Sequence, residues 1–445
     1  MDEEKEETII MECPLNYYLS DENGREIASG DAQVRLGEEN ISILPKFGEV
    51  LFISYRDIFE VSDKDYKIYL ALSSGEKLIL SNLGYKYEDF LRYLSKLRNE
   101  MLLKDMLMQE TLKKSGVEAE FIYYDENEAE LQKGKCEPRL YETAMVIIPE
   151  RGEIFRIPYS SLSKINEEDY ALSLEMESGR KLIISRMGAQ FTSFTTTLSR
   201  LINELSVKVQ SSLKELLPHA DPLVLRQAAR FMKEGRAARR SDIESISPEL
   251  WKEMENKLDV MGLKEEYNFL KSLSQKEKIC IGLKRGLLGD LTGEYIWFLI
   301  PIYDTDAKKP GNAIALEAAS GEDGGKATYF FRLVSRKEYP NFENMEDLHH
   351  EADNFIKKVN RCMLAINFRR EPIYLPDEKL DDSRYQKYKF AIAKIPELKL
   401  LRELFIGRVI HSSYEQWKND VMDLLEFNVK AQDDNAKWKK GEING

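Results

Sequence analysis

Apolar and polar residues alternate along two stretches of this chain that lie 104 positions apart. Tyr66, Ile68, Leu70 and Leu72 recur at every second position, and so do Tyr170, Leu172, Leu174 and Met176. A period of two predicts a half-buried strand. Ser74-Gly75 and Ser178-Gly179 follow, where glycine accepts a positive φ at little cost, and a second strand returns through Leu78 and Leu80 or Leu182 and Ile184. Upstream, residues 43–45 and 50–53 flank Lys46-Phe47-Gly48-Glu49 as a further hairpin. After Gly84 the period changes: Phe90, Leu94, Leu97 and Met101 fall at i, i+4, i+7 and i+11, as do Phe194, Leu198, Leu201 and Leu205. That stripe predicts an amphipathic helix closing each unit.

The two stretches are copies. Shifted by 104 residues, 17–101 falls on 121–205 without a gap, and 30 of those 85 aligned positions are identical. Asp21-Glu22-Asn23 lands on Asp125-Glu126-Asn127, Gly48-Glu49 on Gly152-Glu153, Tyr55 on Tyr159 and Asp65-Tyr66 on Asp169-Tyr170. Duplication of one unit accounts for this. Antiparallel strands in hairpins, closed by one carboxy-terminal helix, resemble the pleckstrin-homology (PH) superfold and its GRAM-like bacterial relatives over residues 17–104 and 121–208. The resemblance rests on element order and repeat, with no diagnostic motif. It implies a non-catalytic platform for phospholipid headgroups, peptides or protein surfaces. Phosphoinositide-binding PH domains set lysines and arginines around the hairpin between their first two strands. The turns taken to correspond, Gly37-Glu38-Glu39-Asn40 and Tyr141-Glu142-Thr143-Ala144, lack them. The copies differ most where Tyr85, Lys86, Tyr87, Glu88 and Asp89 face Ala189, Gln190, Phe191, Thr192 and Ser193.

Beyond the repeats, 209–275 reads as a helical connector. Leu223, Leu225, Ala229 and Met232 suit a helix stopping at Gly235, and Ser247-Pro248 opens another through Trp251, Met254 and Leu258. Region 276–370 reads as strands at 278–284, 295–303, 313–319 and 327–334 with a helix at 345–363. Its strand–turn–strand–helix ending matches that of each repeat, which leaves a third, diverged PH-like unit open beside an unrelated β-plus-helix domain. Residues 371–430 read as further helices, with Trp417, Val421 and Leu424 on one side, and 431–445 as a frayed polar tail. The expected fold class is α+β.

Charge narrows the partners. The net charge is −13, of which residues 1–104 carry 13 − 21 = −8 and residues 105–208 carry 13 − 18 = −5; the rest is neutral. An acidic amino-terminal half repels phosphates, so no nucleic-acid partner is expected. The apolar stretch 295–303 is too short to span a bilayer, the acidic start is unlike a secretory signal, and four scattered cysteines give no metal or disulfide framework. A cytoplasmic protein is expected.

Candidate chemistry is sparse. Arg226, Arg230, Lys233, Arg236, Arg239 and Arg240 form the densest cation cluster, suited to a phosphate, an acidic partner or an anionic membrane; the plainer reading is a solvated helix face. His349 and Asp353 have i, i+4 metal spacing without further ligands. Residues 320–328 fail the phosphate-loop pattern, since Ala327 stands where Ser or Thr should hold magnesium. Gly282, Gly286, Gly289 and Gly293 read as strand-end turns, and His411 as lying in an apolar helical context. No catalytic residue, metal or cofactor is assigned. The leading expectation is an adaptor or scaffold that binds proteins through PH-like modules. The alternative is a peripheral protein at the inner face of the membrane, recognising anionic lipid through a PH-like pocket or segment 226–240. An enzyme with its site in 276–445 comes third.

Overall fold

The computed structural model describes residues 8–105, 110–285, 294–306, 309–320, 326–366, 368–382, 384–430, 433 and 436–438. The chain is α+β and forms two units, Met1–Leu201 with Glu378–Ala393, and Ile202–Asp377 with Lys394–Gly445.

In the first unit, repeat 1 comprises β1 (Met11–Ser20), β2 (Glu26–Leu36), β3 (Asn40–Pro45), β4 (Leu51–Ser54), β5 (Ile58–Lys64), β6 (Lys67–Leu72), β7 (Lys77–Ser81) and α1 (Tyr87–Asp105). The strands lie in the order β4-β3-β2-β1-β7-β6-β5. β1 therefore bridges two halves and the sheet curls around one core. Repeat 2 adds β8 (Leu112–Lys114), an accessory strand on β10, and then repeats the plan. It contains β9 (Ala119–Tyr124), β10 (Glu130–Tyr141), β11 (Ala144–Pro149), β12 (Phe155–Pro158), β13 (Leu162–Glu168), β14 (Ala171–Met176), β15 (Lys181–Ser185) and α2 (Phe191–Leu216). Both curled sheets are compatible with PH-like half-barrels.

The residues shared by the copies have structural work at matching places. Asp21 Oδ1 accepts from the backbone N–H groups of Asn23 and Arg25, and Asp125 Oδ1 from those of Asn127 and Ala129, closing equivalent Asx turns. Tyr55 Oη donates to the Gly37 carbonyl and Tyr159 Oη to that of Tyr141, both at 2.9 Å. Asp65-Tyr66 and Asp169-Tyr170 form two-residue turns with φ of 51° and 58°, and 50° and 58°. This double left-handed geometry matches strand twist. Tyr66 and Tyr170 thus sit at turn tips, 78% and 77% exposed, instead of starting the buried faces that alternation predicts. The stripe Phe90, Leu94 and Met101 is buried against the repeat 1 sheet as expected.

Two expectations change here. The hairpin between the first two strands is 21–25 in repeat 1 and 125–129 in repeat 2, because β1 and β9 begin earlier than the aligned repeat; turns 37–40 and 141–144 join the second and third strands. The true first hairpins are also acidic, with Asp21 and Glu22 or Asp125, Glu126 and Glu128. In addition, α2 continues past residue 208 to Leu216.

In the second unit come α3 (Pro222–Phe231), β16 (Ala238–Arg239), α4 (Arg240–Ile246), α5 (Pro248–Val260) and α6 (Lys264–Leu273), with Ser247 capping α5 by accepting from the Leu250 N–H at 3.2 Å. α3 ends at Phe231 ahead of a short 3-10 turn to Gly235, and Leu223 is exposed. There follow β17 (Cys280–Arg285), β18 (Glu294–Ile302), β19 (Ala313–Ser320), β20 (Ala327–Phe331), α7 (Met345–Ala365) and α8 (Glu371–Tyr374); α9 (Lys387–Lys394) returns to the first unit, before α10 (Pro396–Leu404), β21 (Phe405–Ile410) and α11 (Tyr414–Lys430).

The sheet is an antiparallel run from β16 to β21 in numerical order, without the first-to-last pairing of the repeats. β18 is apolar from Ile296 onward because it is covered on both faces: Phe298 meets Tyr267 of α6 at 5.4 Å, and Trp297 meets Phe368 at 5.6 Å. Gly282 lies within β17, not at a turn, and a Cβ there would stand 2.7 Å from the Gly235 carbonyl and collide with Trp297. Gly286, Gly289, Gly293 and 321–325 lie outside the described residues. Residues 405–410 form an edge strand where helix was expected, since β20 offers its free edge to a β-branched segment. The tail is docked where described: Lys437 Nζ donates to the carbonyls of Arg402, Glu403 and Phe405 at the end of α10, and Trp438 packs on Gly407.

Candidate functional site

The best-defined recognition geometry is the way repeat 2 holds the end of α1. Arg98, 1% exposed, donates to the carbonyls of Ile58 and Phe59 and reaches Glu153 Oε1 at 3.3 Å. Asn99 Nδ2 donates to the Gly152 carbonyl at 3.2 Å. Glu100 receives both terminal nitrogens of Arg139, at 2.6 and 3.1 Å. Burial pulls Arg98 down from its usual pKa, and Arg139 is held well above its own by Glu137 and Glu100, which overcome the opposing effect of burial. Beyond these polar grips, Leu102 and Leu103 pack with Tyr141, Val146, Ile148 and Ile154, sealed by Phe390 of α9. The two repeats are therefore joined by a helix end clamped on the outer face of β10–β11–β12.

On the matching side of repeat 1 the hairpin and β4 are exposed, although Ser42, the counterpart of Val146, is buried between them and Arg35. Phe47 is 92% exposed, Phe52 69% and Val50 43%, whereas Ile154, the counterpart of Val50, is 5% exposed. Periodicity assigns these residues to a hairpin but does not reveal that the end of the hairpin is buried at Ile154 in one copy and exposed at Val50 in the other.

The six cations do not form one patch. Arg226 and Arg230 are exposed on α3 and make no ion pair among the described residues. Lys233 and Arg236 are half-buried. Arg239 pairs with Asp353 at 2.9 Å and Asp242 at 3.6 Å, and Arg240 with Glu244 at 2.8 Å. Asp353 also takes Lys278 at 3.0 Å, and His349 Nδ1 lies 2.7 Å from Tyr303 Oη. The i, i+4 pair is thus committed to separate partners. No cluster of three or more potential metal ligands occurs among the described residues.

A buried polar group that sequence reasoning missed centres on His411. It follows strand β21 and so does not lie in a helix. Its Nε2 lies 3.0 Å from Glu317 Oε2 and its Nδ1 3.3 Å from Glu266 Oε1. Thr328 Oγ1 donates to Glu317 at 2.5 Å and accepts from Trp417 Nε1 at 3.0 Å. Burial alone lowers a histidine pKa, but hydrogen bonds to Glu266 and Glu317 outweigh it and raise His411 to about 9. An imidazolium that donates from both nitrogens has no lone pair for proton abstraction. The group's chemistry is that of a charged staple between α6, β19 and the β21 end. No spacing rule links residues 94 positions apart, so no sequence signal points to it.

Among the described residues, no helix is long and apolar enough to cross a membrane. No protein-family model matches this chain, and no curated protein sequence matches it. Among solved structures, the Spt16D Pob3N heterodimer is similar at 14% identity over 38% of this chain and 85% of that chain, with a TM-score of 0.16.

Proposed function

We propose that this chain is a non-catalytic scaffold that binds other proteins, with its paired PH-like repeats as the platform. The observation that carries the reading is the bare hairpin of repeat 1, where Phe47, Val50 and Phe52 stand in water on an otherwise acidic unit. A cluster of large apolar side chains left exposed marks a surface that another macromolecule covers. The acidic first hairpins of both repeats favour a protein over an anionic headgroup, since carboxylates repel phosphate. The doubly engaged His411 supports a structural rather than a catalytic role for the buried polar group. Four free, buried cysteines suit a reducing cytoplasm.

The test is tagged purification from the native cells at about 0.15 M salt, beside flotation with neutral and anionic vesicles. A polypeptide retained in stoichiometric amount is the expected result. Flotation only with anionic vesicles, lost in Arg226→Ala/Arg230→Ala, would replace the scaffold reading with a membrane-surface role.

A further inference from the structure

We propose that the outer face of β2–β3–β4 in repeat 1 is a docking site for an amphipathic helix of a partner protein. The helix carries a cation, then a carboxylate two residues on, then an apolar pair. This rests on the protein-binding reading above and names its site and the partner's chemistry.

The duplication supplies a filled and an unfilled version of one surface. Repeat 2 uses its outer face to hold Arg98, Asn99, Glu100, Leu102 and Leu103 of α1, and each polar grip has its counterpart in repeat 1. Glu153, which faces Arg98, corresponds to Glu49; Gly152, whose carbonyl takes Asn99, corresponds to Gly48; Arg139, which takes Glu100, corresponds to Arg35. The register is also the same. Arg35 is paired with Ser42 and Ser42 with Phe52, as Arg139 is with Val146 and Val146 with Arg156. Cross-strand neighbours share a face, so Arg35 and Phe52 project from one side of the sheet, and Glu49 and Val50 occupy the hairpin that borders it.

The clamp in repeat 1 is unfilled. Among the described residues, exposed Glu49 has no ion pair and Arg35 pairs only with Glu12, at 3.4 Å with both side chains about two-fifths exposed. The substitutions between copies run opposite to what solvent would favour. Arg151 and Arg156 of the covered copy are replaced in the open copy by Phe47 and Phe52. A face meant for water would trade phenylalanine for arginine; this one trades the other way, while keeping the two charges that set helix direction. The end of α1 cannot fill it from a second copy, because Leu102 and Leu103 are 0% and 7% exposed in their own chain.

The probe is a fluorescent synthetic peptide of residues 87–105, locked helical by a hydrocarbon link between positions 92 and 96, which are exposed in α1. Its anisotropy is followed against the full chain. Saturable binding is expected, weakened at least about tenfold by Glu49→Arg, the scale of one lost charge pair at an interface. The charge-swapped peptide, with Arg98→Glu, should recover affinity for Glu49→Arg. Phe52→Asp, which places a carboxylate where neither repeat has one, should also weaken binding while circular dichroism stays unchanged. No binding at about 100 μM, or equal binding to Glu49→Arg, overturns the docking site. So does sedimentation showing self-association that Glu49→Arg abolishes, which makes the occupant a second copy. If the native partner is retained by Glu49→Arg, the scaffold reading stands and this site alone fails.

Discussion

The charged state of His411 gives a pH dependence that can be isolated. The perturbation is His411→Gln together with Glu317→Gln and Glu266→Gln, which removes the imidazolium and both carboxylates that face it. In the folded chain His411 is raised from 6.5 to about 9. A raised pKa means that the native state keeps a proton which the unfolded chain has released. The stabilisation is therefore complete below pH 6.5 and disappears as pH rises through about 9. At about 1.4 kcal/mol per unit, the gap corresponds to roughly 3 kcal/mol between these limits. The side chain is 11% exposed, so solvent screening removes little of this.

All four tryptophans, Trp251, Trp297, Trp417 and Trp438, lie in the second unit, so urea unfolding followed by their fluorescence reports that unit alone. The wild type should lose stability relative to the triple variant by about 3 kcal/mol from about pH 6.5 to 9.5, steepest near about 1.4 kcal/mol per unit. Parallel stability curves across this range would refute a protonated His411.

Three other outcomes follow from the packing. Gly282→Ala should destabilise the second unit by about 2 kcal/mol or more through forced displacement of Trp297, seen as a fluorescence shift in the native state. Leu102→Ala should cost the first unit about 2–5 kcal/mol, and limited proteolysis should then cleave between the repeats before either sheet. Lys437→Met should release the tail from the end of α10, read as faster hydrogen exchange at Trp438, whose N–H donates to the Ile406 carbonyl at 2.8 Å.

Much of the architecture was legible because its signals are local. The Ser-Gly turns and the 3.6-residue stripe after Gly84 each act within a few residues, and duplication showed both twice. The same locality misled at Tyr66 and Tyr170, where alternation continued into a turn, and at 405–410, where a strand is defined only by the β20 edge beside it. The candidate cations were readable as a cluster, but their division was not, because Asp353 reaches Arg239 only in the folded chain.

From the sequence alone came the α+β class, the two copies, their Ser-Gly turns and the helix that closes each. Tertiary structure decided which charges are spent and which surfaces remain open. Glu49 and Glu153 are the same residue in the same hairpin, yet one faces water and the other a buried arginine. Local pattern specifies how a segment folds, whereas pairing and burial depend on what the rest of the chain lays across it.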